Sequence, residues 1–286
     1  MDSEKKLLGK EIKCLDHGFV RLVDYMGSDD SIVQAARVSY GKGTKTLHED
    51  RGLIRYLLRH KHTTPFEMVE FKFHIKLPIF IARQWIRHRT ANVNEYSGRY
   101  SEMKDEFYLP DLDQIRPQST MNRQGRSDDS FEAEKANEIR IGMQEIQSEL
   151  YGKYTDLLDE GLAREIARIN LPLSNYTEWY WKIDLHNLFH FLRLRIDDHA
   201  QYEIRVFGEA IAEIIKEITP VAWEAFEDYT LNSMSLTAAE KKALGKLLSG
   251  SLNRDSLEQY LGEKESNMSK REARECIAKI DGLLNI

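Results

Sequence analysis

The densest run of chemically capable side chains is Arg83-Gln84-Trp85-Ile86-Arg87-His88-Arg89, continued by Asn92, Asn94, Glu95, Ser97, Gly98 and Arg99. Between residues 83 and 104 five Arg/Lys stand against two Glu, a local charge of +3 in an otherwise acidic chain. Guanidinium groups hold phosphate through paired donors, a geometry that lysine does not copy. The Ser-Gly-Arg step can add backbone N–H groups and a hydroxyl for an anion. On a helix, Gln84 and Arg83 would both share a face with Arg87. The pattern points to a nucleotide phosphate site, against the plainer reading of a solvated, Arg-rich helix end.

A second cluster is Arg193-Leu194-Arg195-Ile196-Asp197-Asp198-His199-Ala200-Gln201. Arginines at the end of one helix and acids at the start of the next suit the helix dipoles, and that explanation covers most of the charge pattern. His186 and His190 are four apart, and His60 and His62 flank Lys61, but neither pair brings further metal ligands, so no metal site is expected. There is no G-x-S-x-G, neither cysteine has a His-rich context, and the absence of G-x-G-x-x-G argues against a Rossmann nucleotide fold.

The elements that must position these residues follow from periodicity. Gly18 to Met26 reads as a strand, and Ser28 to Ser31 offer N-caps for a following helix. A helix is expected from about Glu49 to His60, and the polar turn HTTPFE at 62–67 precedes the clearest strand. There Val69, Phe71, Phe73, Ile75 and Leu77 alternate with polar residues. Pro78 suits the first turn of a helix running through IFIARQWIRHR. Residues 117–130 are polar and turn-rich and read as a loop. A long helix spans about Phe131 to Leu158, stopped near Gly161. Thr177 to Ile183 alternates again, Leu185 to Leu194 is apolar at helical spacing, Asp198 to Gln201 carry a capping-box-like start, and Pro220 opens another helix. From about Leu231 two helical stretches are separated by LSGSLNRDS.

The 286 residues carry 41 Lys+Arg and 47 Asp+Glu, a net charge of −6, with 41% hydrophobic residues. A chain of this size can bury about 75% of its unfolded surface. The apolar stretch Leu77 to Ala82 is far short of the ~18 residues of a membrane span, and the N-terminus lacks a signal peptide's apolar segment. A soluble, cytoplasmic protein with no membrane partner is expected, and its charge argues against a non-specific nucleic-acid coat. Cys14 and Cys276 form no metal or redox spacing.

RHRTANVNEYS, Arg87 to Ser97, resembles the signature of flavin-dependent thymidylate synthases: Arg-His-Arg, seven residues, then Ser. HTTPFE, IARQW, SGRYS and LRLRIDDHAQYE resemble the family in the same order, over about residues 18–228. The resemblance implies reductive methylation of dUMP to dTMP, with methylenetetrahydrofolate as carbon donor and NADPH as reductant through bound FAD. It also implies a homotetramer whose active sites form where subunits meet. Thr64, Arg87, His88, Arg89 and Glu95 would touch the flavin, as would Asp184, Leu185, His186 and His190. For dUMP it points to Gln84, Arg87, Glu95, Tyr96, Ser97, Gly98, Arg99, Arg168 and Arg195. Ser97 would sit at the nucleotide without acting as a covalent nucleophile, and Arg195 would stabilise the uracil ring so that C5 can react. No cysteine thiolate is then required.

The implied fold is α+β: a central, mainly antiparallel sheet flanked by helices, with a long helical portion and an extra C-terminal helical tail. Residues 1–230 would form the catalytic domain and 231–286 a helical extension. The 117–130 loop departs from the shortest family pattern, and its Asn122, Arg123, Gln124 and Arg126 are expected to reach a neighbouring active site. Two rivals stand beside the enzyme: a flavin or nucleotide sensor without turnover, and an RNA-binding module built on the Arg-rich segment. The latter is weakened by the net charge and the lack of a wider basic stripe.

Overall fold

The computed structural model describes residues 7–38, 47–120, 125–248, 261 and 268–284. Its centre is an antiparallel sheet, in the order β1-β2-β3-β5-β4. The strands are β1 (Glu11–Cys14), β2 (Gly18–Met26), β3 (Glu70–Pro78), β4 (Asn92–Glu95) and β5 (Tyr176–Asp184). β3 and β5 pair over their full length, from Glu70 opposite Asp184 to Pro78 opposite Tyr176. Alternation then sorts the side chains. Phe71, Phe73, Ile75 and Leu77 of β3 and Thr177, Trp179, Trp181 and Ile183 of β5 are buried. The opposite face carries Lys72, His74, Glu178 and Tyr180, where the His74 ring stacks on Tyr180 at 4.9 Å and bonds Glu178 at 3.0 Å. The α+β architecture expected from the motifs is the one observed.

The helices of the larger unit are α1 (Asp29–Arg37), α2 (Leu47–Arg59), α3 (Ile79–Trp85), α4 (Ala133–Asp159), α5 (Arg164–Ala167), α6 (Leu185–Arg195), α7 (Tyr202–Ile218) and α8 (Pro220–Phe226). Ser28 and Ser31 form a capping box on α1. α4 ends at Gly161 (φ +86°), with Leu162 N–H on the Leu157 carbonyl and Gly161 N–H on that of Leu158. This is the left-handed stop that glycine favours. An aromatic cluster fixes the helices on the sheet. The Trp85 ring lies 4.5 Å from Phe191, 5.2 Å from Trp181, 5.8 Å from Trp179 and 6.1 Å from Phe207, all buried. Removing a ring of this kind costs about 3–5 kcal/mol, and this one joins α3, β5, α6 and α7.

Several local expectations differ from the structure. α3 ends at Trp85 rather than running to Arg89. The chain tightens through Arg87 N–H to the Gln84 carbonyl at 3.4 Å and His88 N–H to the Trp85 carbonyl at 3.0 Å. It must leave the helix there because Asn92 already pairs with Lys182 on β5. Arg87 therefore lies outside the helix whose face it was expected to share. Pro78 closes β3 and sits at the N-cap of α3 rather than within it. Cys14 ends β1, and four-residue β1 and β4 fall below what alternation can detect. α7 begins at Tyr202 with no side-chain cap, while the Asp197 carboxylate instead accepts from His199 N–H at 2.8 Å. The described ends of the 117–130 segment pair antiparallel, Gln118 opposite Arg126, and Asn122, Arg123 and Gln124 lie outside the described residues.

The chain divides into two units, Met1–Glu227 and Asp228–Ile286. Within the second, α9 (Ala238–Leu248) and α10 (Lys270–Leu284) pack together. Each opens with a reciprocal capping box: Thr237 with Glu240, and Ser269 with Glu272. Of the stretch LSGSLNRDS, all but Leu248 lies outside the described residues. No helix among the described residues is long and apolar enough to cross a membrane.

Candidate active site

The aromatic cluster decides what meets at the site. Phe191 and Arg195 are four apart on α6 and share a face, so docking Phe191 on Trp85 carries Arg195 to the end of α3. There Arg195 Nε–H donates to His88 Nε2 at 3.1 Å, and its Nη2 makes a long contact of 3.5 Å with the Gln84 carbonyl. The His88 ring rests edge-on against Phe191 at 4.9 Å. Burial, then the charges of Arg195 and His190, push His88 down to about 4, so it is neutral at pH 7. Arg195 Nε can only donate, so the bond assigns the ring proton to Nδ1 and the acceptor lone pair to Nε2. Burial also lowers Arg195 from the ordinary arginine range, but a guanidinium stays charged in proteins.

These groups border a cleft of about 330 Å³ lined by Arg87, His88, Arg89, Thr90, Ile183, Asn187, His190, Leu194 and Arg195. Arg87 and Arg89 are exposed, and no carboxylate pairs with them among the described residues. Three guanidinium groups around one cavity, without a compensating acid, make an anion site with donors to spare. Thr90 and Asn187 line it without having been singled out by any motif. The Asn187 amide is held on the Asp184 carboxylate at 2.7 Å, a bond visible only once α6 is folded.

The signature's second half is held elsewhere in the unit. Tyr96 N–H bonds the Glu178 carbonyl at 2.8 Å, and Glu95 accepts from Thr177 Oγ1 at 2.8 Å. Ser97 begins a turn whose hydroxyl accepts from Arg99 N–H at 3.3 Å. A small core of Met103, Tyr154 and Ala167 supports this segment, with the Tyr154 hydroxyl accepting from Met103 N–H at 2.9 Å. Arg168 lies across Gly98: a Cβ there would come within 2.7 Å of Met103 Sδ and 3.0 Å of Arg168 Nη1. A side chain there would have to push the Met103 and Arg168 side chains aside. Arg99 is paired with Glu165 at 2.9 Å.

The structure thus brings Arg87, His88, Arg89, His190 and Arg195 together, with Gln84 beside them, and gathers Tyr96 to Arg99 with Arg168 as a second group. Other candidates stand apart from the cleft. Asp184 caps α6 through Asn187 N–H at 2.9 Å. Leu185 is wholly buried, with its N–H on the Val69 carbonyl. Thr64 is exposed at the start of a 3-10 turn (Thr64–Met68), and His186 is half-buried on α6. Arg126, expected to reach a neighbouring site, is held within its own chain by Glu203. No group of His, Cys, Asp and Glu that could hold a metal occurs among the described residues.

Comparison with known proteins adds to this geometry. The model of the family described as thymidylate synthase complementing protein matches residues 21–221. A flavin-dependent thymidylate synthase of Gluconobacter oxydans is 53% identical over 281 residues, 97% of this chain and 90% of that protein. One of Treponema denticola is 58% identical over 243 residues, 85% and 91% respectively. Among solved structures, the UMP/dUMP methylase PolB of Streptomyces cacaoi, bound with 5-Br dUMP, is similar with a TM-score of 0.71 at 33% identity. That match spans all of the PolB chain and 78% of this one.

Proposed function

The chain belongs to the flavin-dependent thymidylate synthases, and on that premise we propose that it methylates dUMP to dTMP. Methylenetetrahydrofolate is the carbon donor and NADPH the reductant, through FAD. The observation that carries the reading is Arg195: a half-buried guanidinium at a cleft, bonded to a neutral histidine rather than an acid. Its charge is left for a ligand.

Uracil C5 is a weak nucleophile. A thiolate adding at C6 would activate it, but Cys14 is 1% exposed and burial pushes its thiol up to about 12. The alternative is electrostatic. With Nε committed to His88, the Nη groups of Arg195 are the donors that meet the pyrimidine and stabilise charge spreading from N3 to the ring oxygens. Such preorganised stabilisation is worth about 10²–10³ in rate for one donor. Gln84, Arg87, Glu95 and Arg168 hold the nucleotide, with the turn Tyr96-Ser97-Gly98-Arg99 at the phosphate.

The residues present also fit a dinucleotide cofactor, since Arg87 and Arg89 present unpaired guanidinium groups to the cleft and Thr90 and Asn187 add neutral polar groups. When bound, FAD supplies the reducing equivalents that turn the transferred methylene into a methyl group. Thr64, His88, Glu95, Asp184, His186 and His190 complete its binding across subunits. A homotetramer with shared sites accounts for the two separated groups of residues, and exposed Ile141, Met143 and Ile146 on α4 supply apolar contact surface. Residues 1–230 form the catalytic domain of a cytoplasmic enzyme and 231–286 an extension. The test is an anaerobic assay of dTMP from dUMP, methylenetetrahydrofolate and NADPH. No product from folded, flavin-loaded protein would overturn the reading.

A further inference from the structure

The HAQYE stretch at 199–203 and the paired segments 117–120 and 125–127 take no part in the cleft, yet a chain of hydrogen bonds ties both to Gln84. Glu203 lies on the first turn of α7, and its side chain is 1% exposed. Its Oε1 accepts from the Tyr108 hydroxyl at 3.0 Å and pairs with Arg126, and its Oε2 accepts from Gln201 Nε2 at 2.8 Å. Gln201 Oε1 in turn accepts from Gln84 Nε2. Arg126 is itself fixed by Gln114 Oε1 at 3.1 Å and lies over the Tyr202 ring at 5.9 Å. The segments on either side are paired by Ser119 N–H on the Gly125 carbonyl and Ser127 N–H on that of Pro117, both 2.8 Å.

Direction runs one way along this chain. Glu203 accepts from a hydroxyl, an amide and a guanidinium, groups that each donate to it. Gln201 must therefore turn its NH₂ towards Glu203 and its carbonyl oxygen towards Gln84. Gln84 must then turn its NH₂ towards Gln201, which leaves its own Oε1 and second N–H for a ligand. An amide with a free choice would present either end.

We propose that Glu203, acting through Gln201, is a positioning residue that sets which way the Gln84 amide faces, and that Arg126 makes nucleotide binding depend on the paired segments 117–120 and 125–127. The inference rests on the reading of Gln84 as a contact of dUMP. Losing one hydrogen bond of this kind is worth about tenfold in affinity. In the FAD-loaded holoenzyme, Gln201→Leu raises the KM and Kd for dUMP about tenfold. It leaves kcat within about twofold, and leaves flavin content and the KM for NADPH unchanged. Arg126→Ala raises the same KM about threefold, and Arg126→Lys restores most of it because the positive charge facing Glu203 returns. A merely structural role would lower thermal stability and move every substrate together.

Gln84→Ala separates the two levels of the argument. If it weakens dUMP binding while folded Gln201→Leu and Arg126→Ala bind dUMP as the wild type does, the relay is overturned and the nucleotide contact stands. If Gln84→Ala itself leaves dUMP affinity unchanged, both fall. Gln84→Ala added to Gln201→Leu should cost nothing further. Full additivity of the two would also overturn the relay. Gln201 is exposed, so its variant decides the matter even if Glu203→Gln fails to fold.

Discussion

Arg126 and Arg195 approach the same corner of the fold with opposite partners. Arg126 meets the buried carboxylate of Glu203, so its charge is used up within the subunit. Arg195 meets the neutral ring of His88, so its charge is not. The same contrast runs through the molecule. Arg55 pairs with Glu224 at 2.7 Å and Arg99 with Glu165 at 2.9 Å, whereas Arg87 and Arg89 face the cleft without an acid. An arginine beside a carboxylate holds structure together, and one beside a neutral acceptor is oriented but still available to a ligand.

Arg195→Ala is the hardest test of that contrast. It should lower kcat about a thousandfold with little change in thermal stability, read from single-turnover dTMP formation alongside a melting curve. If Arg126→Ala lowers kcat as far, the division between the two kinds of arginine fails. Arg55→Ala should do the reverse. Its side chain is 4% exposed, and breaking its pair costs about 2 kcal/mol of stability, while activity per folded, flavin-loaded enzyme holds. Urea titration with an activity assay checks both halves.

Gly98→Ala comes next. A methyl group driven against Met103 Sδ and Arg168 should raise the KM for dUMP about tenfold by moving Arg168 off the 97–99 turn. A KM unchanged in steady-state assays would remove Arg168 from the nucleotide site. A gentler probe is pH. His88 in the unfolded chain takes up its proton near 6.5 and in the folded chain near 4. Stability present above pH 6.5 is therefore lost progressively as pH falls towards 4, because the unfolded chain binds the proton first. Half-exposure keeps that loss small. An NMR titration should place the His88 midpoint near 4. A midpoint above 7 would mean that a second cation faces Arg195 at neutral pH and that its partner there is not neutral. The smallest effect belongs to Cys14→Ala with Cys276→Ala, which should leave turnover unchanged in the steady-state assay.

The sequence shows the two Arg-rich clusters and the alternation of β3 and β5, so the sheet and the site's raw materials are legible in it. Periodicity reports which face of an element is buried over eight or nine residues, which is why those two strands are clear and β1 and β4, at four residues each, are not. Charge compensation is harder. Arg195 finds His88 across 107 residues and Arg126 finds Glu203 across 77, so no local window distinguishes the free guanidinium from the paired one. The same distance hides the Gln84–Gln201 bond, which joins positions 117 residues apart. The helix dipole explains why Arg195 suits the end of α6. It takes the Trp85–Phe191 contact to explain what stands opposite.

The burial of Cys14 has a consequence beyond mechanism. Electrophiles and oxidants attack the thiolate, and its population falls tenfold for each unit by which a thiol's pKa rises. A thiol held near 12 against the Val206 carbonyl offers them almost none. Peroxide or an alkylating agent at a dose that silences thiolate enzymes should leave this catalyst turning over. Its vulnerability lies instead with reagents for arginine: a dicarbonyl that caps guanidinium groups would reach exposed Arg87 and Arg89 before it reached Arg55.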